Sequence, residues 1–111
     1  MSRSITWLQE VAHGTAVAKG WWDEDRGIPE CLALIHSEVS EALEDYRDGH
    51  MELKTEVSLT NKPYGFPSEL ADIVIRCLDL AGHLGIDLEQ AIEVKMAYNA
   101  TRPHRHGGKR A

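Results

Sequence analysis

The segment from Glu69 to Gly85 most constrains how this chain can fold, because it is a long helical pattern that is apolar almost all round. Such a pattern is typical of a helix buried on most sides. The few polar positions are spaced three and four apart, so they fall within a wedge of about 80°. They are Glu69, Asp72, Arg76, Asp79 and His83. The segment therefore predicts a central helix with one narrow and mostly acidic stripe.

Three further segments carry the apolar spacing of a helix, and with the central one they predict an all-α four-helix bundle. They span about residues 4–19, residues 29–48 and a stretch that starts after Asp87 and cannot continue past Pro103. A single chain of this size has too little surface to cover a helix that is apolar all round. We therefore expect oligomerisation to complete the bundle.

Local signals mark the helix ends and the longest connection. Thr6 with Gln9 and Asp87 with Gln90 each fit a capping box at the start of a helix. Residues 49–66 carry no helical period. This stretch can hold a short hairpin, but its Asn, Lys, Pro and Gly residues favour a mobile loop.

Length and charge limit the classes of function. The 111 residues fit one domain, spanning 1–111, and the formal net charge is −6. An acidic chain is not expected to bind a nucleic-acid polymer or an anionic membrane through bulk electrostatics. No secretory signal or membrane-spanning stretch is predicted, so we expect a cytoplasmic location. Residues 94–111 hold five bases and no acid, and they end in a basic tail at about 103–111.

Four carboxylates on two helices carry the chemistry. Glu38 and Glu41 are three residues apart on the second helix, as are Glu69 and Asp72 on the third, so each pair shares a helix face. If the two helices pack together, four like charges converge, which is strongly unfavourable without a cation. Hard divalent cations prefer oxygen ligands. The pattern predicts a site for Mg²⁺, with Mn²⁺ as an alternative.

A ferritin-like di-iron centre is the competing metal site, and the spacing disfavours it. That centre needs a Glu-x-x-His motif on two helices. Neither Glu38 nor Glu69 has a histidine three residues later, and His36 and His83 stand at the wrong spacing.

Basic and aromatic residues supply candidates for binding an anionic, ring-containing ligand. Lysine and arginine side chains suit the phosphate oxygens that a metal leaves uncovered, and an aromatic pair suits a nucleobase. The candidates are Lys95, Asn99 and Arg102 on the fourth helix, Lys109 in the tail, and Trp21, Trp22 and Lys19 between the first two helices.

The two acidic motifs, separated by 27 residues, together resemble the signature of the MazG-like all-α nucleoside triphosphate pyrophosphohydrolases. The resemblance extends to "LIHSEVSEALEDYR" and "ELADIVIRCLDLAGHLGIDLEQAI", and "KMAYNATRPHRHGGK" is similar to the ending of a small single-domain branch. Ser37 stands where many members have a further glutamate. Arg76 stands where some relatives place a residue near the base, and pairing with Asp72 or Asp79 is the alternative for it.

The resemblance implies a Mg²⁺-dependent hydrolase that cleaves a nucleoside triphosphate between the α and β phosphates, working as a homodimer or homotetramer. It implies Glu38, Glu41, Glu69 and Asp72 as metal ligands, and Lys95, Asn99, Arg102 and Lys109 as contacts to the nucleotide. Glu38 or Glu41 is the expected acceptor of the proton from the attacking water. House-cleaning of the nucleotide pool is the expected role, and the preferred base stays open.

The alternative from another class is a non-catalytic helical module that binds nucleotides or another protein. In that case its acidic stripes are solvated or paired across an interface.

Overall fold

The computed structural model describes residues 3–104, and within them the chain is all-α, as predicted. Four helices are joined in chain order, with one small hairpin between the second and third. The helices are α1 (Ile5–Ala18), α2 (Ile28–Arg47), α3 (Phe66–Leu84) and α4 (Leu88–Thr101). Each lies within a few residues of its predicted bounds.

The helix ends follow local chemistry, with one correction. The Asp87 side chain accepts a hydrogen bond from the backbone N–H of Gln90, so the predicted N-cap of α4 is confirmed. For α1 the prediction of Thr6 as the cap is wrong. Ser4 caps that helix, because its hydroxyl accepts from the backbone N–H of Trp7 at 3.1 Å. Gly85 adopts the left-handed conformation that ends α3.

Residues 49–66 contain a two-stranded antiparallel hairpin, β1 (Lys54–Thr55) with β2 (Pro63–Tyr64). The short hairpin that the sequence allowed for this stretch is therefore present, and the favoured interpretation as a loop is wrong for these two short strands. After the hairpin the chain reaches Gly65, which is the N-cap residue of α3 and has a positive φ of 108°. A side chain at Gly65 would collide with the backbone of Glu52, so this turn requires glycine.

α3 is the central helix, packed between α1 and α2, while α4 packs against α1. The buried apolar residues lie where these helices meet and are few: Cys31, Ala42, Leu78 and Ala81. The single chain leaves Leu70, Val74 and Ile75 of α3 about half exposed. This agrees with the expectation that one chain has too little surface to cover a helix that is apolar almost all round. α1 and α2 cover only part of its circumference.

None of the helices in the described part of the chain is both long enough and apolar enough to span a membrane.

Candidate metal centre and adjoining cleft

Three carboxylates meet where α2 faces α3. One oxygen from each of Glu38, Glu41 and Glu69 lies within 4.8 Å of the others. The i, i+3 spacing places the first two on one side of α2, and the packing of α3 brings the third to them. This is an all-oxygen donor set of the kind that Mg²⁺ and Mn²⁺ prefer.

Two oxygens in this cluster are buried and lack a hydrogen-bond partner. They are Oε2 of Glu38 and Oε2 of Glu69. Glu38 as a whole is only 7% exposed. A buried carboxylate oxygen without a partner is costly, and a cation held by these carboxylates would satisfy both atoms. The residues present therefore fit a hard divalent ion.

The electrostatics of the cluster point the same way. Burial raises the pKa of Glu69 from 4.5 to about 7, with further contributions from Glu41 and Asp72. Burial and the charge of Glu38 also raise the pKa of Asp72, although Arg76 and Lys62 partly oppose this. Without a cation, the site therefore resists carrying its full negative charge.

Arg76 provides one positive charge beside the cluster. Its Nε donates to Oε1 of Glu38 at 2.9 Å, forming a partly buried ion pair between α3 and α2. Asp72 and Asp79 were the partners that the sequence suggested for Arg76, and the ion pair is instead with Glu38. Glu38 thus has one oxygen bound to Arg76 and the other buried without a hydrogen-bond partner.

A cleft of about 800 Å³ opens beside the cluster, between α1 and α3. One wall is apolar and comes from α1 and α3, with Leu8, Val11, Ala12, Ala16, Ile75 and Leu78. The charged residues of the lining are Lys19, Arg26, Glu38, Asp72, Arg76 and Asp79. A pocket that joins an apolar wall to a few charged groups suits a ligand with a flat apolar part and an anionic part.

Trp21 is the tryptophan that lines this cleft. The guanidinium of Arg26 lies 3.9 Å from the centre of the Trp21 ring. That of Arg76 lies 5.0 Å from it. Arg26 also donates from Nε to the backbone carbonyl of Trp21 at 2.8 Å. Both guanidiniums are therefore close enough to the Trp21 ring for a cation–π interaction.

Trp22 has a different environment. Its ring stacks on His83 with centroids 3.7 Å apart, and its Nε1 donates to Oδ1 of Asp79 at 2.9 Å. His13 contacts the same carboxylate oxygen through Nδ1, also at 2.9 Å. Asp79, on the predicted acidic stripe, thus ties the α1–α2 linker and α1 to α3. The cleft lining does not include Trp22.

The structure brings together only part of the predicted site. Glu38, Glu41 and Glu69 converge, whereas Asp72 lies outside that three-carboxylate group and lines the cleft next to Glu38. Lys19 also lines the cleft.

The predicted nucleotide contacts on α4 lie elsewhere. Lys95, Asn99 and Arg102 do not appear among the described residues that line the cleft. Lys95 and Arg102 instead lie within 6 Å of the Tyr98 ring, at 5.6 and 5.8 Å. Lys109 lies outside the described residues.

Sequence reasoning missed Arg26 at the cleft, and for Arg76 it missed Glu38 as the partner. Arg26 was indicated only by its place in the linker beside the tryptophan pair. Arg76 was indicated by its place on the acidic stripe, since a lone cation among buried acids usually has one of them as a partner.

The chain is similar, over a short stretch, to a dATP/dGTP diphosphohydrolase of Cyanophage S-2L. The two are 50% identical over 36 residues, which is 32% of this chain. The match spans about a third (34%) of the phage protein's length. No family model matches the chain. No solved structure matches it either.

Proposed function

We propose that this protein is a Mg²⁺-dependent nucleoside triphosphate pyrophosphohydrolase that releases a nucleoside monophosphate and pyrophosphate. The observation that carries the proposal is the convergence of Glu38, Glu41 and Glu69, with two of their buried oxygens lacking partners. Buried carboxylates without partners are rare in structures that have no use for them. Similarity to a diphosphohydrolase over 36 residues supports the reaction class.

The carboxylates of this chain have different proposed roles. Glu38 and Glu69 would hold the cation, because their unpartnered oxygens are buried in the cluster. Asp72 would join them by a change of side-chain rotamer or through a bound water. Glu41 is exposed, so its carboxylate has access to water. It is therefore the better acceptor for the proton of the attacking water, while Glu38 keeps one oxygen on Arg76.

The bound cation would neutralise the triphosphate and lower the pKa of a water molecule. The cleft would hold the rest of the substrate. The base would lie on the apolar wall beside Trp21, and Lys19, Arg26 and Arg76 would face the anionic part. The phage relative is named for dATP and dGTP. We therefore propose purine deoxynucleoside triphosphates as the preferred substrates.

Oligomerisation belongs to this proposal. Lys95, Asn99 and Arg102 lie on α4, which packs against α1 rather than against the carboxylate helices. We propose that α4 contributes these groups to the site of another subunit in a homodimer or homotetramer. The homo-oligomer would then complete both the bundle and the site.

The test is a hydrolysis assay with purified protein, Mg²⁺ and a panel of the standard ribo- and deoxynucleoside triphosphates. Separate measurement of pyrophosphate and orthophosphate identifies the bond that is cleaved. We expect monophosphate and pyrophosphate in equal amounts, with purine deoxynucleotides turned over fastest. Release of orthophosphate, or no turnover of any substrate, would contradict the proposal. Nucleotide binding without turnover would indicate the non-catalytic module instead.

Matched variants locate the chemistry. Glu41→Gln removes one carboxylate of the cluster, and we expect a loss of at least about 100-fold in rate, the scale of a general base. Glu44→Gln makes the same change one turn further along α2, where Glu44 pairs with Arg47 in solvent. Its rate should match the wild type. Equal rates for both variants would exclude Glu41 from the reaction.

A further inference from the structure

Arg76 lies where two parts of the site meet. Its Nε donates to Oε1 of the buried Glu38, and its guanidinium carbon lies 5.0 Å from the Trp21 ring centre. One planar side chain thus contacts both a carboxylate of the candidate metal cluster and the aromatic wall of the cleft.

The contact with Glu38 controls which oxygen of that carboxylate is available. Oε1 is bound to Arg76, whereas Oε2 is buried and has no partner. A guanidinium bound to one carboxylate oxygen restricts rotation of the whole group. The other oxygen is then held in a fixed orientation, and Glu38 is one of the three carboxylates among which a cation would bind.

The contact with Trp21 joins this carboxylate to the cleft. Arg26 lies 3.9 Å from the ring centre and also donates to the Trp21 carbonyl, so the tryptophan is already fixed in place. Any shift of the Arg76 guanidinium changes the electrostatic field at that ring. Because Arg76 is bound to Glu38, a cation that binds to Glu38 must also change the position or the electrostatic environment of the Arg76 guanidinium.

We propose that Arg76 is a positioning residue that orients Glu38 for the cation and couples the metal centre to the Trp21 wall of the cleft. This inference rests on the proposed metal site. It assigns to Arg76 an effect on metal affinity and on the cleft in the absence of substrate. Partners that orient a metal ligand typically contribute 10–100-fold in metal affinity.

The experiment titrates nucleotide-free protein with Mg²⁺ and follows both melting temperature and tryptophan fluorescence. In the wild type we expect a rise in melting temperature and a change in emission that share one midpoint. Trp21→Phe should remove the emission change and keep the thermal shift, because the metal ligands are intact. This variant assigns the optical signal to Trp21 rather than to Trp7 or Trp22.

Arg76→Gln should raise the Mg²⁺ midpoint about tenfold and abolish the emission change. Arg76→Lys keeps the charge but lacks the planar fork. It should preserve most of the Mg²⁺ affinity and lose most of the emission change. Because it keeps the metal affinity, it separates the loss of coupling from a folding defect in the glutamine variant. Arg47→Gln, which removes an exposed arginine from its Glu44 pair, should behave as the wild type.

Three results would overturn the inference, and the third would also overturn the proposed function. If Arg76→Gln keeps both the wild-type midpoint and the full emission change, Arg76 neither orients Glu38 nor couples the sites. If Mg²⁺ shifts the wild-type melting temperature but leaves its fluorescence unchanged, the coupling is absent while the metal site stands. If the wild type shows no thermal response to Mg²⁺, the metal site itself fails, and the proposed function fails with it.

Discussion

At the scale of single residues, Glu38 and Asp79 are two buried acids with different partners. Asp79 accepts hydrogen bonds from Trp22 and His13 on one oxygen, so its charge is balanced by fixed donors. Glu38 has one oxygen on Arg76 and one with no partner. A carboxylate whose partners are all present stabilises the fold, whereas one that lacks a partner is suited to bind a ligand.

Asp79→Ala is expected to lower the free energy of unfolding by about 2–3 kcal/mol. It removes a charged acceptor and leaves the partly buried Trp22 and His13 donors without this partner. Asp79→Asn keeps an oxygen acceptor for the Trp22 N–H and should cost much less. Urea denaturation of the two variants and the wild type measures the difference. Equal losses would mean that the negative charge, rather than the acceptor, holds the linker on α3.

The raised pKa of Glu69 predicts how the stability of the metal-free protein depends on pH. Its pKa is about 7 in the folded chain, against an ordinary value of 4.5. Between these values the unfolded state loses the proton first, so the free energy of unfolding falls as pH rises from about 4.5 to 7. The raised pKa of Asp72 acts in the same direction.

Urea denaturation in the presence of a chelator, at several pH values, measures this fall. Glu69→Gln should reduce it, because glutamine does not ionise, and Glu44→Gln should leave it unchanged. A slope in Glu69→Gln as steep as in the wild type would mean that other groups cause the dependence.

At the scale of helices, α1 approaches α3 closely where Gly82 faces His13. A Cβ at Gly82 would lie 2.7 Å from the His13 Cβ and 2.9 Å from its Cγ. Both are too short for a real contact, and neither atom belongs to the far end of a flexible chain. This approach lets His13 reach Asp79, so the glycine sets the spacing of the two helices that form the cleft.

Gly82→Ala should therefore destabilise the fold by about 1–3 kcal/mol, the usual cost of overpacking. Gly14→Ala is the matched control, since Gly14 also lies inside a helix but has nothing within 4 Å of the added carbon. It should stabilise α1 by about 0.5–1 kcal/mol. Thermal unfolding of both variants tests the pair, and a neutral Gly82→Ala would show that α1 can move away from α3 at little cost.

At this scale, the features that neighbouring residues determine could be predicted from the sequence. Helix bounds and the Asp87 cap follow from neighbouring residues, and spacing alone places Glu38 and Glu41 on one face. The choice of Trp21 over Trp22 for the cleft, the Arg76–Glu38 pair and the exposure of Val74 depend on packing between helices. No pattern along one segment reports that packing.

At the scale of the whole molecule, the single chain is more extended than a self-sufficient domain. Its radius of gyration is 16.6 Å, against about 13 Å for a typical domain of 100 residues. Many large apolar side chains on α2 and α3 are about half exposed. Among them are Leu32, Val39, Leu43, Leu70 and Val74. Apolar exposure on this scale marks an interaction surface, and the same helices carry the carboxylate cluster.

We expect the apolar face of α2 and α3 to be the contact between copies of this chain, so Val39→Lys should shift the protein toward the monomer. A lysine there places a charge in the contact, which costs several kcal/mol if it is desolvated. Val57→Lys makes the same substitution at a fully exposed position between the two hairpin strands, and should leave the assembly unchanged. Light scattering coupled to size-exclusion chromatography measures both. A wild-type monomer, or a Val39→Lys variant with the wild-type mass, would contradict the assignment of this face.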